Sequence, residues 1–339
     1  MNTGIAEFRG APDAVRRQKQ ILARPLADLV GQLRKRPPQV VVTCARGSSA
    51  HAATFAKHLI EHYLQIPVAA AAPNIATIYH QQLHLKDQLL LTISQSGRSD
   101  DLIEQAGAAR AAGAITACLT NDPQSPLALA CQIVLPMAAG PERNVAATKT
   151  FVASLAALTS LVALWTGNRE LHAALERLPD RLAAASDLDW HQALEDFAKA
   201  RSLVTIGRGP TLAIAREASL KFKETCNLHA EAFSGAEFLH GPVALVAPDY
   251  PILMFMPTDE AAPGMQELAQ NLRFKSAAVF STEAGAAGPR HLVALPADHP
   301  ETDAICLVQS FYGFMAKLAA RRGTDAAPPR YLQKVTRTR

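Results

Sequence analysis

Two carboxylates, an amine and an imidazole fall close together between Arg216 and Val246, in the run REASLKFKETCNLHAEAFSGAEFLHGPVALV. Glu217, Lys221 and Glu224 stand at i, i+4 and i+7, so a helix projects all three from one face and leaves Lys223 well off it. The helical pattern weakens after Cys226. After a polar turn, a second short apolar run ends at Leu239-His240-Gly241-Pro242, where Gly-Pro stops a helix and leaves His240 at its end. These groups suit proton transfer at a sugar carbon: a carboxylate takes the proton next to a carbonyl, and an imidazole that titrates near neutrality opens the ring. The same residues have a plainer reading. Glu217 and Lys221 also make an ordinary surface pair worth ~0.2–0.5 kcal/mol, and a histidine before Gly-Pro is often only a cap.

The elements that must position these groups alternate along the chain. Helical spacing from about Asp13 to Lys35 ends before Pro37-Pro38, and Gln39 to Cys44 reads as a buried strand running into Ala45-Arg46-Gly47-Ser48-Ser49 and a second helix. Strands follow at Pro67 to Ala72 and Gln88 to Ile93, the latter delivering Ser94-Gln95-Ser96-Gly97-Arg98-Ser99 to a helix that starts near Asp100. A strand, a hydroxyl-rich turn and a helix N-terminus make an anion site, because free N–H groups and the helix dipole both favour phosphate. Taken singly, a Ser-rich turn before a helix is usually only an N-cap. Two of them at the carboxyl ends of neighbouring strands point to a ligand, since open α/β sheets bind ligands at that edge.

Strands at Ala114 to Leu119 and Gln132 to Pro136 continue the alternation, and a long helix begins near Ala146. Strands alternating with helices predict a parallel, doubly wound sheet. From Glu170 to about Ala200 the pattern is helical, with Pro179-Asp180 as a break. A repeat then emerges: Val42 to Ser49 lines up with Val204 to Thr211, each at the end of an apolar strand and opening a helix. Pro210 stands where the first copy has Ser48, and apolar Pro251 to Pro257 stands where it has SQSGRS. Further strands are expected at Ser276 to Phe280 and Leu292 to Leu295, with helices from about Glu260 to Asn271 and Thr302 to Arg321.

At 339 residues the chain can bury two cores. Hydrophobic content of 49% with charged content of 19% is that of a globular protein, not a disordered one. A net charge of +4 is too small and scattered to argue for nucleic acid, apart from the basic end Lys334 to Arg339. Cys44, Cys118, Cys131, Cys226 and Cys306 form no CxxC and read as reduced thiols of a cytoplasmic protein, not as disulfides or a zinc site. No signal peptide opens the sequence, and the apolar run Phe151 to Trp165 is short for a bilayer span, so it reads as a buried or interface helix.

Five stretches together resemble the sugar isomerase (SIS) family of phosphosugar enzymes: CARGSS at Cys44 to Ser49, SQSGRS at Ser94 to Ser99, VAATKTF at Val145 to Phe151, the EASLKFKE…HAEAF…EFLHGP block, and LQKVT in the tail. The likeness is greatest to the isomerase half of glucosamine-6-phosphate synthase and to stand-alone glucosamine-6-phosphate deaminases. It implies an α/β fold of two tandem SIS domains, each a parallel doubly wound sheet flanked by helices, over residues 1–180 and 181–323, with a tail at 324–339. It implies that Ser48, Ser49, Ser94, Gln95, Ser96 and Ser99 cradle the phosphate and that Val145 and Ala147 touch the sugar. By the same likeness Glu224 moves the proton between C1 and C2, and Glu217 and Lys221 order it. His240 opens the ring, from the neighbouring subunit in some members, and Lys334 attends the open-chain carbonyl. A homodimer is implied, with no metal, no organic cofactor, and neither nucleic acid nor membrane as partner.

The synthase begins with a glutaminase domain that supplies ammonia. Here Met1 is followed by Asn2 and the first strand already begins at Gln39, so the expectation is a deaminase, with glucosamine 6-phosphate going to fructose 6-phosphate and ammonia. Alternatives left open are galactosamine 6-phosphate or a fructosamine phosphate as substrate, a synthase-type subunit, and a phosphosugar sensor without turnover.

Overall fold

The computed structural model describes residues 5–285, 288–324 and 331–334. They fall into two compact units. The first holds residues 13–143 and 149–176, with 333–334 of the tail; the second holds 5–12, 144–148 and most of 177–332.

After α1 (Ala11–Lys35), the first unit runs β1 (Val41–Ala45), α2 (Ser48–Leu64), β2 (Val68–Ala70), α3 (Asn74–Thr77), β3 (Leu89–Ser94) and α4 (Asp100–Ala111). It continues through β4 (Ile115–Thr120), α5 (Pro126–Ala130), β5 (Ile133–Pro136) and α6 (Lys149–Thr166), and α7 (Arg169–Ala185) leads into the second unit. There the elements are α8 (Leu194–Lys199), β6 (Ser202–Gly207), α9 (Thr211–Cys226), β7 (His229–Ser234) and α10 (Gly235–Phe238). They are followed by β8 (Pro251–Met254), α11 (Ala262–Phe274), β9 (Ala278–Glu283), β10 (His291–Val293) and α12 (Pro300–Arg321).

Both sheets are parallel, and both have the same topology. The first is ordered β2-β1-β3-β4-β5 and the second β10-β9-β8-β6-β7, which is 2-1-3-4-5 in each when strands are counted along the chain. The expected repeat is thus a repeat of topology. A parallel sheet covered on both faces needs continuous apolar strands, and LLLTIS of β3 and ITACLT of β4 are buried at every position.

Helix α6 is apolar and long enough, by composition and length, to cross a membrane, but 78% of it is buried inside the protein, as in a core helix. Buried Gln18 of α1 donates from Nε2 to the Met137 and Ala153 carbonyls and ties α1, the end of β5 and α6 together. In the second unit the core is aromatic. Phe197 stacks on Phe222 at 5.8 Å and meets the edges of Phe280 and Phe314, and Trp190 donates its indole N–H to the Val293 carbonyl at 2.8 Å.

Three local expectations are corrected. Pro179 does not break the helix; α7 runs through it. Its missing N–H and ring clash cost ~3 kcal/mol, and Leu171, Ala174, Leu178, Leu182 and Ala185, fully buried at helical spacing, outweigh that. The long helix starts at Lys149 rather than near Ala146, so Val145 and Ala147 lie in the loop before it. His229 to Ser234 forms a strand that the sequence pattern did not reveal. It is an edge strand with exposed His229 and Glu231, and alanine and glutamate carry little β-propensity.

Candidate functional site

In a 2-1-3-4-5 sheet the strand order reverses between the first and third strands, and a crevice opens there at the carboxyl edge. In the first unit that places Arg46-Gly47-Ser48-Ser49, after β1, beside Ser94 to Ser99, after β3. The N-cap reading of these serines fails. Neither Gly47 at the start of α2 nor Ser99 at the start of α4 makes a side-chain capping bond. Ser125 and Ser234 do cap their helices, accepting from the Ala128 and Glu237 N–H groups.

The second turn is held by its own atoms. Ser94 Oγ accepts from Gly97 N–H at 3.2 Å and Ser96 Oγ from Arg98 N–H at 3.3 Å. Gly97 has φ 62°, and a Cβ there would lie 2.1 Å from Ser125 Oγ, so only glycine fits. The charged residues of both turns are paired. Arg46 donates to Asp101 Oδ2 at 3.0 and 2.8 Å, joining the turn after β1 to the first turn of α4, and Arg98 pairs with Asp122 at 2.9 Å. The other polar groups of the two turns are neutral: hydroxyls on half-buried Ser48, Ser49, Ser96 and Ser99 and the Gln95 amide, beside the N-terminal dipoles of α2 and α4. Val145 and Ala147 are half-buried and cluster with the second unit, where Asn144 N–H donates to Glu7 Oε2 at 3.2 Å.

In the second unit the corresponding crevice is closed. Thr211, fully buried, accepts from Arg208 N–H at 3.0 Å, and its hydroxyl lies 2.8 Å from the Phe255 carbonyl, so it stitches the turn after β6 to the segment after β8. A Cβ on Gly207 would lie 2.3 Å from the Thr211 carbonyl oxygen, which fixes how closely the turn folds back on its strand.

The chemistry-bearing residues of this unit sit further along α9. Lys221 Nζ lies 2.5 Å from Glu224 Oε2 and 3.4 Å from Glu217 Oε1, and Tyr312 on α12 donates its hydroxyl to Glu217 Oε1 at 3.2 Å. The surface-pair reading is overturned, because the Lys221 and Glu217 side chains are 1% and 0% exposed and Glu224 is 17% exposed. Burial pushes the Lys221 ammonium towards neutrality, but the two carboxylates outweigh it and hold its pKa above the ordinary lysine value. Glu224 stands in the last turn of α9, where the helix dipole disfavours a carboxylate. Its position therefore serves something other than helix stability, and it is the solvent-reaching end of a fixed charged chain that can accept and return a proton.

His240 follows α10 on an exposed turn. Its N–H donates to the Glu237 carbonyl at 3.0 Å, Gly241 beyond it takes φ 137°, and its ring has no hydrogen-bond partner among the described residues. The structure thus brings Glu217, Lys221 and Glu224 together and does not join His240 to them. Lys334 is half-buried and clusters with the first unit; Val335 and Thr336 of the same motif lie outside the described residues. Sequence reasoning missed Tyr312. It is 95 positions from Glu217, and no local spacing signals that pairing. Among the described residues no group of His, Cys, Asp and Glu is arranged to hold a metal.

The SIS domain model matches residues 35–164 and 196–281, one segment on each sheet. Among solved structures, a provisionally named phosphosugar isomerase from Silicibacter pomeroyi DSS-3 superposes with a TM-score of 0.91 at 41% identity, covering 96% of this chain and all of that one. The C-terminal domain of glucosamine-fructose-6-phosphate aminotransferase from Francisella tularensis gives 0.84 at 26%, covering 94% and 96%. The glutamine–fructose-6-phosphate aminotransferase (isomerizing) of Zymomonas mobilis is 32% identical over 315 residues, 87% of this chain and 51% of that protein, so the chain spans about half the length of the curated relatives it matches. A match on both sheets, carried by a repeated 2-1-3-4-5 topology, places this protein in the SIS domain family, homologous to phosphosugar isomerases and to the isomerase half of the aminotransferase.

Proposed function

We propose that the protein isomerises a phosphorylated amino sugar and releases its nitrogen, acting as a glucosamine-6-phosphate deaminase. The observation that carries this reading is the buried Glu217–Lys221–Glu224 chain ending in a partly exposed carboxylate. Serine hydroxyls and amides of the first unit hold the phosphate, and His240 moves the proton that opens the ring. Glu224 removes the C2 proton from the open-chain aldehyde and returns it at C1, so the enolamine becomes a fructose imine with its double bond at C2–N. Water adds at C2 and ammonia leaves, giving fructose 6-phosphate. Lys334 attends the carbonyl, and Lys221 keeps the Glu224 carboxylate in place.

Attack on a glutamine amide needs an accessible thiolate, and all five cysteines are free and buried. Burial pushes Cys44 and Cys306 up to about 12 and Cys226 to about 11. None of the five therefore reads as a nucleophile. The working form on this reading is a homodimer, since Leu239 and Leu245 beside His240 are 56% and 49% exposed and offer apolar surface to a second copy.

A second reading, a synthase-type isomerase half that uses ammonia from a glutaminase, is favoured by relatives twice as long that are aminotransferases. Ammonia release without glutamine separates the two, measured with glucosamine 6-phosphate, galactosamine 6-phosphate and N-acetylglucosamine 6-phosphate. Release from the glucosamine sugar alone is the expected result. Silence on all three, with tight binding of fructose 6-phosphate, would sink the deaminase and favour the second reading.

A further inference from the structure

The second unit has a cavity of ≈ 340 Å³ at the carboxyl edge of β8, β9 and β10, closed by one face of α12. None of Glu217, Lys221, Glu224 and His240 lines it. Its size is in the range of small-ligand pockets. Because Thr211 stitches shut the crevice between β6 and β8, the free carboxyl edge of this sheet lies further along, where the cavity is.

Its floor is polar and already assembled. Arg181 donates from Nη2 to Asp303 Oδ1 at 2.9 Å and to the Pro296 carbonyl at 2.8 Å, and Thr258 donates to Asp303 Oδ2 at 2.8 Å. Arg181 Nε is buried beside the cavity with no other partner than the nearby Cys306 thiol. Glu283, whose Oε1 already accepts from Ser281 Oγ at 3.0 Å and whose Oε2 lies 3.7 Å from His291 Nδ1, and Gln266 stand at the rim, while Met256, Leu295 and Leu307 form apolar wall. The lining holds one cation against two carboxylates, and that cation is committed to one of them. A phosphate would meet net negative charge here, the reverse of the neutral donors in the first unit. An ammonium or hydroxyl group finds a carboxylate, and the C–H face of a sugar ring finds apolar wall.

We infer that this cavity is a second ligand site, for an unphosphorylated, amine-bearing polyol of monosaccharide size, separate from the phosphate turns. The assignment stands on the cavity's own residues and does not depend on the reaction proposed above.

The test is calorimetric titration of the full-length protein with free glucosamine, with glucose, and with glucose 6-phosphate. Glucosamine binds the unaltered protein and the Ser96→Ala variant equally, and glucose binds less tightly. Glu283→Gln, isosteric and at the rim, weakens glucosamine about tenfold, the loss expected for one charge-assisted hydrogen bond. Ala262→Phe, which fills the cavity from a half-buried position, abolishes binding. Both variants retain phosphosugar binding, which reports that they fold. No heat with glucosamine, binding that survives both Glu283→Gln and Ala262→Phe, loss in Ser96→Ala alone, or tighter binding of glucose 6-phosphate to the Ser96→Ala protein would each overturn the proposal.

Discussion

The two sheets share a strand order but treat the crevice between their first and third strands in opposite ways. In the first, the serines of the turns after β1 and β3 do not cap their helices and the arginines pair with Asp101 and Asp122, so the donors proposed for the phosphate are neutral. In the second, Thr211 bonds across the same crevice and fills it. The charged chemistry of that unit instead lies at the far end of the following helix, locked between Tyr312 and solvent. On the reading proposed above, the first copy of this edge holds the ligand, and the second gives it over to packing and leaves the chemistry to α9.

That division of labour can be broken from either side, and the largest effect is expected at Glu224. Glu224→Gln should lower kcat by about 10²–10⁴, the range for a lost general base, with phosphosugar affinity nearly unchanged; full turnover in this variant would remove the base from the mechanism. Lys221→Met comes next, because it strands two carboxylates around an apolar side chain. Breaking such a buried pair costs about 3–5 kcal/mol, to be read from urea unfolding, whereas a loss under 1 kcal/mol would mean the network is not structural.

The pH dependence carries a definite sign. The folded-state pKa of Lys221 is raised, so its stabilisation is complete below the unfolded lysine value of about 10.4 and is lost as pH rises through the higher folded value. Thermal unfolding of the native protein should lose this contribution only on that alkaline side, and Lys221→Met should erase the step.

In the first unit Ser96→Ala should raise KM about tenfold with kcat nearly constant, as for uniform binding lost with one hydrogen bond to a charged group. Its effect on KM and that of Glu224→Gln on kcat, in one assay with one substrate, would tie the two units to a single reaction. The smallest change is expected for Tyr312→Phe. It removes one hydrogen bond to Glu217 at about 1 kcal/mol, and because the hydroxyl only positions that carboxylate, kcat should fall a few-fold while KM holds.

Much of this was readable one residue at a time. Apolar runs such as LLLTIS announce buried parallel strands, Gly-Pro after His240 announces a helix stop, and the i, i+4, i+7 spacing puts Glu217, Lys221 and Glu224 on one face whatever surrounds them. These follow from local geometry and side-chain character, which the chain carries with it. Strand β7 escaped because an edge strand of alanine and glutamate has no local signature, and α7 kept its proline because buried leucines outvote a local breaker.

The sequence alone determined which groups could do chemistry and that the strand-turn-helix unit occurs twice. Only the tertiary structure decided that Lys221 and Glu217 are buried rather than a surface pair, that the serines at the first crevice are not caps, that Thr211 closes the second crevice, and that Tyr312 holds Glu217. Burial and hydrogen-bond partnership are set by residues far away along the chain, and periodicity measures only near neighbours.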